Sequence, residues 1–151
     1  HHALNRGGVL AAEPALSPDG MVGGAQKTQL LNASNGLVFP VRWHEPFGLA
    51  VIESLYFGCP VFATPYGALP EIVTPECGVL SDRLSVLSDA VSHSTWDRQA
   101  CHARATALFN AQRMTDDYLA AYQKVLANQM LNVTHPVMTQ AATKLAWLDE
   151  A

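Results

Sequence analysis

Arg42-Trp43-His44-Glu45-Pro46-Phe47-Gly48-Leu49-Ala50-Val51-Ile52-Glu53 is the run on which the fold of this chain turns, and it sits inside a longer stretch, 36–67. Ahead of it, Leu37-Val38-Phe39-Pro40-Val41 is apolar and of strand length. Behind it, 47–57 is apolar at almost every position and of helical length. The stretch predicts a strand, a tight turn at Pro46 and a buried helix.

Glu53 is the exception within that helix, surrounded by Leu49, Ala50, Val51, Ile52, Leu55, Tyr56 and Phe57. A carboxylate in an all-round apolar helix is costly unless a partner holds it, so a polar group is expected to meet Glu53. Glu45 precedes it by eight residues, at the mouth of the same helix. There Pro46 can occupy the first turn without wasting an amide, and Gly48 allows close approach of a backbone or ligand. The amides of Phe47, Gly48 and Leu49 are then expected to point outward, unpaired, toward an anion. Glu53 lies roughly 9 Å below the Phe47 end at the helical rise per residue. A diphosphate with a sugar on one side and a ribose on the other has that reach. The spacing suits a nucleotide-sugar, with phosphate on the helix mouth and one carboxylate for each hydroxylated ring. Each glutamate taken singly has a plainer reading: a salt bridge for Glu53, and satisfaction of helix amides for Glu45.

Composition narrows the field. With 151 residues, 49% hydrophobic and 15% charged, the chain has the makings of one compact globular core. A net charge of -4 gives no basic footprint and argues against a nucleic-acid partner. No apolar run has the length of a membrane span, and the N-terminal residues lack a charged-then-apolar signal layout. Three cysteines without close pairing read as buried small residues in a reducing compartment, which predicts a cytoplasmic protein. His44, His93, His102 and His135 are scattered without the spacing of a metal site, so neither metal nor other cofactor is expected. No glycine-rich dinucleotide or Walker loop is present, which weighs against a dehydrogenase or a kinase. Cys101 and His102 are neighbours on a helix and face different ways, which removes them as a nucleophile pair.

Outward from the organising stretch, 1–19 is rich in Ala, Gly and Pro and predicts little order beyond a short strand at 8–11. A strand at 21–23 and a helix at 26–34 should follow, the helix marked by Leu30, Leu31 and Ala33. Beyond the glutamate-bearing helix come a strand at 60–63, a turn at 65–67, a short helix at 70–73 and a strand at 78–81. Short apolar strands alternating with helices define an α/β fold with a parallel sheet covered on both faces. From 83 onward the pattern is helical, with Leu84, Leu87 and Val91 on one face and a second helix over 96–109. Thr115, followed by Asp116 and Asp117, predicts the N-cap of a helix over 116–131 that carries Tyr118, Tyr122 and Val125 on one face. An amphipathic stretch at 139–148 closes the chain. The layout is a poorly ordered segment 1–19, a domain 20–131 and a helical tail 132–151.

The paired glutamates with their flanks, Pro46-Phe47-Gly48-Leu49 after the first and Gly58-Cys59-Pro60-Val61 after the second, resemble the group 1 (family 4) retaining glycosyltransferases of the GT-B fold. The similarity continues through Pro65-Tyr66-Gly67-Ala68-Leu69-Pro70-Glu71-Ile72-Val73 and Cys77-Gly78-Val79-Leu80. It returns in Phe109, Met114, Tyr118 and Tyr122, which look like that family's closing helix. The resemblance spans about 20–126 and implies a Rossmann-like sheet flanked by helices, the later part of the C-terminal, donor-binding domain, with a helical extension. It implies a retaining transfer from a nucleotide-sugar to an acceptor, without an obligatory metal. Glu45 is then the catalytic carboxylate beside the transferred sugar, Phe47, Gly48 and Leu49 hold the diphosphate, and Glu53 binds the ribose. It also exposes a deficit. In the doubly wound order the strands that should lie beside 36–41 are missing, so an unpaired edge, self-association or a completing partner chain is expected. A non-catalytic module that keeps the fold to bind a partner is the alternative reading.

Overall fold

The computed structural model describes residues 2–5 and 22–134. The strand expected at 8–11 and the amphipathic stretch at 139–148 lie outside the described residues. The elements run β1 (His2–Asn5), α1 (Gly24–Ala33), β2 (Ser34–Phe39), α2 (Leu49–Tyr56), β3 (Val61–Ala63), α3 (Leu69–Ile72), β4 (Gly78–Leu80), α4 (Leu84–His93), α5 (Arg98–Leu108) and α6 (Ala111–Leu126). β2, β3 and β4 form a parallel sheet in sequence order, with Leu37 paired to Val61 and Val61 to Gly78. The α/β reading holds, with helices on both faces.

Strand alternation sorts the core. Leu37, Phe39, Val61 and Ala63 point to one face and join Val51, Leu55, Leu69, Ile72, Cys101 and Ala105 from α2, α3 and α5. Phe62 points to the other face and meets Leu87 and Ala90 of α4, with Trp96 packed edge-on at 5.7 Å. Full burial of a Val or Leu side chain contributes about 1.5–3 kcal/mol, so this alternation fixes which faces the helices must cover.

Several boundaries differ from the sequence expectation, each for a local reason. Val22 and Gly23 are not strand. β2 begins earlier, at Ser34, and stops before Pro40, which has no amide with which to continue the ladder. The edge of β2 expected to be bare is paired: β1 lies antiparallel on it, with His2 opposite Val38 and Ala3 opposite Leu37. α6 starts at Ala111 because Asn110 caps it, its Oδ1 accepting from the Arg113 amide at 2.8 Å. Thr115, expected as the cap, is inside the helix and donates to the Ala111 carbonyl at 2.8 Å. The helix ends at Leu126, short of 131, where Asn128 turns left-handed at φ 55.

The helix expected to be buried all round is open on one side. Val51 and Leu55 are fully buried, whereas Leu49 is 68% and Tyr56 52% exposed, and Glu53 lies on the same open face. Positions 49, 53 and 56 share a helix face, and α5 covers the opposite one. α5 also holds the far ends of two helices. Arg98 donates to the carbonyls of Phe57 and Ser34 at 3.0 Å each, and the His102 ring nitrogen bonds the Tyr56 carbonyl. Arg104 donates to Ile72 and Glu71 carbonyls at 2.5 and 2.9 Å. Carbonyls left over at the ends of α2 and α3 thereby find donors from basic side chains.

Candidate functional site at the mouth of α2

The candidate site forms where β2 runs out. Val41 is buried and its carbonyl accepts from the hydroxyl of Thr64 at 2.6 Å, tying the ends of β2 and β3 together. Residues 42–48 then cross the carboxyl end of the sheet, the side on which open α/β sheets bind ligands.

Glu45 is fixed first by its backbone. It forms a parallel bridge with Gly67, and the Ala68 amide donates to the Glu45 carbonyl at 2.8 Å. Gly67 has φ +67, and a Cβ there would lie 2.3 Å from the Glu45 carbonyl oxygen. Only glycine permits that approach in that conformation. The carboxylate is held as well: Oε1 accepts from the amides of Gly48 at 3.0 Å and Phe47 at 3.4 Å, and Oε2 from the indole N–H of Trp43 at 3.1 Å. Gly48, the residue before α2, is left-handed at φ 85 and has no capping side chain of its own. Glu45 supplies that cap from three residues upstream.

Two of the three amides expected to be free therefore face the Glu45 carboxylate. The amides of Leu49 and Ala50 have no acceptor among the described residues, and they form the open part of the helix mouth.

Glu53 meets the polar group its surroundings demand. Lys27 of α1 places its ammonium 2.7 Å from Glu53 Oε1, with both side chains a little under half exposed. Such an exposed pair contributes about 0.2–1 kcal/mol, enough to orient the carboxylate and little more. The sequence reading missed Lys27, although a signal was there: it is the only basic residue across 22–41. Trp43, two residues from Glu45 in the quoted run, was likewise given no role. Both plainer readings of the glutamates, a salt bridge for Glu53 and amide satisfaction for Glu45, describe contacts that the chain makes.

Other groups stand apart. An open groove of about 600 Å³, lined in part by Asn32, Gly58, Arg98 and His102, lies at the opposite end of α2 from Glu45. His44 packs edge-on to Tyr66 at 6.3 Å. Cys59, Cys77 and Cys101 are buried. Burial first, then the neighbouring Cys77 and Cys59, pushes the Cys101 thiol up to about 11, which leaves it a neutral packing group. Among the described residues no three His, Cys, Asp or Glu side chains converge to hold a metal ion. No helix of the described residues is long and apolar enough to cross a membrane.

The fold is of GT-B type, a parallel sheet flanked by helices, with one carboxylate pinned at the mouth of α2 and a second about one turn along its open face. Residues 20–89 match the family described as glycosyl transferases, group 1. The chain is 37% identical over 82 residues to a GDP-mannose-dependent alpha-(1-6)-phosphatidylinositol dimannoside mannosyltransferase of Mycobacterium tuberculosis, covering 51% of this chain and 22% of that protein. It is 32% identical over 95 residues to an uncharacterized 41.2 kDa protein in the cps region of Klebsiella pneumoniae, 58% of this chain and 26% of the relative. Among solved structures, sucrose-phosphate synthase from Thermosynechococcus elongatus superposes with a TM-score of 0.56 at 28% identity, over 72% of this chain and 30% of the synthase. The chain thus spans about a quarter of the length of the curated relatives it matches.

Proposed function

We propose that this chain is the donor-binding part of a retaining glycosyltransferase that moves a sugar from a nucleotide-sugar to an acceptor. The observation that carries the reading is the placement of Glu45 and Glu53 around one helix: the first held by three donors in the loop at its mouth, the second on its open face beside Lys27. In this reading Glu45 lies against the transferred sugar. The diphosphate lies at the helix mouth, where Leu49 and Ala50 offer open amides and Phe47 and Gly48 orient the carboxylate. Glu53 accepts from the ribose hydroxyls through the oxygen that Lys27 leaves free, and the ammonium adds positive charge beside an anionic donor. Catalysis needs no metal on this account, because helix amides and the ammonium face the leaving diphosphate. A reducing, cytoplasmic setting goes with the buried cysteines.

Binding of the nucleotide tests the assignment. Glu53→Gln keeps the shape and removes the charge, and because the site is part exposed the expected loss is about 1 kcal/mol, near fivefold in affinity for GDP or UDP. Calorimetric titration of the full-length protein measures it. Unchanged affinity for both nucleotides would remove Glu53 from the donor site.

The partner reading has its own observation. α6 has no buried residue, and Met114, Tyr118, Tyr122 and Val125 lie at helical spacing, all more than half exposed. An apolar stripe of this kind is an interface awaiting a partner. We therefore propose that the chain by itself self-associates through α6 and turns over no nucleotide-sugar. Light scattering after size exclusion should show dimers or larger species that Tyr118→Glu disperses, while a monodisperse wild-type monomer that transfers sugar unaided refutes the proposal.

A further inference from the structure

The two described tryptophans use their indole N–H groups in the opposite sense to what packing asks. Trp96 is part buried against Phe62, and its Nε1 is buried without an acceptor among the described residues. Trp43 is 55% exposed, where water could serve its N–H, yet it donates to Glu45 Oε2 at 3.1 Å. Satisfaction of the donor does not require that contact. Direction does. A carboxylate offers about four lone-pair positions. Two on Oε1 are taken by the Phe47 and Gly48 amides and one on Oε2 by Trp43, so Glu45 presents a single open acceptor, on Oε2. The amides anchor one oxygen, and the indole stops rotation about the remaining bond.

We propose that Trp43 is a positioning residue for the Glu45 carboxylate, which acts by aiming its one free lone pair at the sugar and touches neither donor nor acceptor itself. The inference rests on the reading of Glu45 as the group beside the transferred sugar. Placing the holder two residues upstream follows from local geometry. The chain bends at 42–43 before Glu45 is bridged to Gly67, and across that bend the indole reaches the carboxylate at 3.1 Å. The helix-mouth amides are fixed by α2, so the side chain that decides the remaining orientation is the indole.

Two measurements test this, one without substrate. In the amide–indole NMR spectrum of the chain, Glu45→Ala should move the Trp43 indole proton and leave that of Trp96 in place. An unmoved Trp43 signal means that the contact does not exist in solution and overturns the proposal. In the full-length protein, with release of GDP from GDP-mannose as the readout, Trp43→Phe keeps the ring and removes the N–H. Its kcat should fall about tenfold with KM for the donor within about twofold, the scale of one part-exposed hydrogen bond to a charge. Trp43→His restores a ring N–H and should recover most of the loss. In a Glu45→Ala background Trp43→Phe should change nothing further, because the group it aims is gone. A loss of equal size in that background would assign Trp43 to ring packing and overturn the proposal. A wild-type kcat in Glu45→Ala would instead sink the reading of Glu45 itself, leaving the hydrogen bond without a catalytic object.

Discussion

Glu45→Ala is expected to lower kcat about a hundred- to a thousandfold while donor affinity changes by no more than a few-fold, the signature of a group used mainly in the transition state. The carboxylate is pre-set by the amides of Phe47 and Gly48 and by the Trp43 indole, so in the proposed role no reorganisation is needed as positive charge develops on the transferred sugar. On the proposed role, ground-state binding gains little from it, since a sugar hydroxyl is equally well solvated before entry. Truncation also releases two amides at the mouth of α2, and these can take up donor oxygens, which further spares affinity. Steady-state kinetics set beside calorimetry separates the two quantities. A loss confined to donor binding, with turnover intact once the site is saturated, would reduce Glu45 to a binding residue.

How far the sequence carried this site depends on which contacts are local. The strand, turn and helix around Glu45 were legible because apolar runs of fixed length bounded by Pro46 and Gly48 leave few alternatives, and β2, α2 and β3 fall within two residues of expectation. The flanking motifs likewise pointed to the family that residues 20–89 match. The burial of α2 was misjudged because hydropathy records what a residue is and not which neighbour arrives. Leu49 and Tyr56 remain open since α5 covers the other face. Lys27 was invisible as a partner because 26 residues separate it from Glu53, a contact made by tertiary placement of α1. The edge of β2 was expected to be bare on the strength of a strand order, yet any extended segment with free amides can pair there, and His2–Asn5 does so antiparallel. Asn110 displaced Thr115 as a cap because both are good capping types and only the packed chain chooses between them.

Gly67→Ala should cost about 2–4 kcal/mol of stability and remove most turnover. The reason is a contact that composition alone does not reveal. The left-handed φ of +67 charges any side chain about 1 kcal/mol. The larger part is steric: the new Cβ would stand 2.3 Å from the Glu45 carbonyl oxygen and 2.4 Å from its nitrogen, both backbone atoms. Glu45 then has to retreat by about 1 Å to reach ordinary contact. That movement breaks the bond from the Ala68 amide to the Glu45 carbonyl, now 2.8 Å, and carries the carboxylate off its amide and indole donors. A displacement of that size at a reacting group costs about a hundredfold in rate. Gly24 supplies the control, since it too has positive φ, +53, but a Cβ there meets nothing within 4 Å. Gly24→Ala should therefore lose only the conformational part, about 1 kcal/mol, and leave turnover unchanged. Urea denaturation of both variants, paired with the donor turnover assay, separates backbone strain from the clash at Glu45. Equal stability losses in the two variants, with turnover preserved in Gly67→Ala, would show that the Gly67 bridge does not hold Glu45 in place.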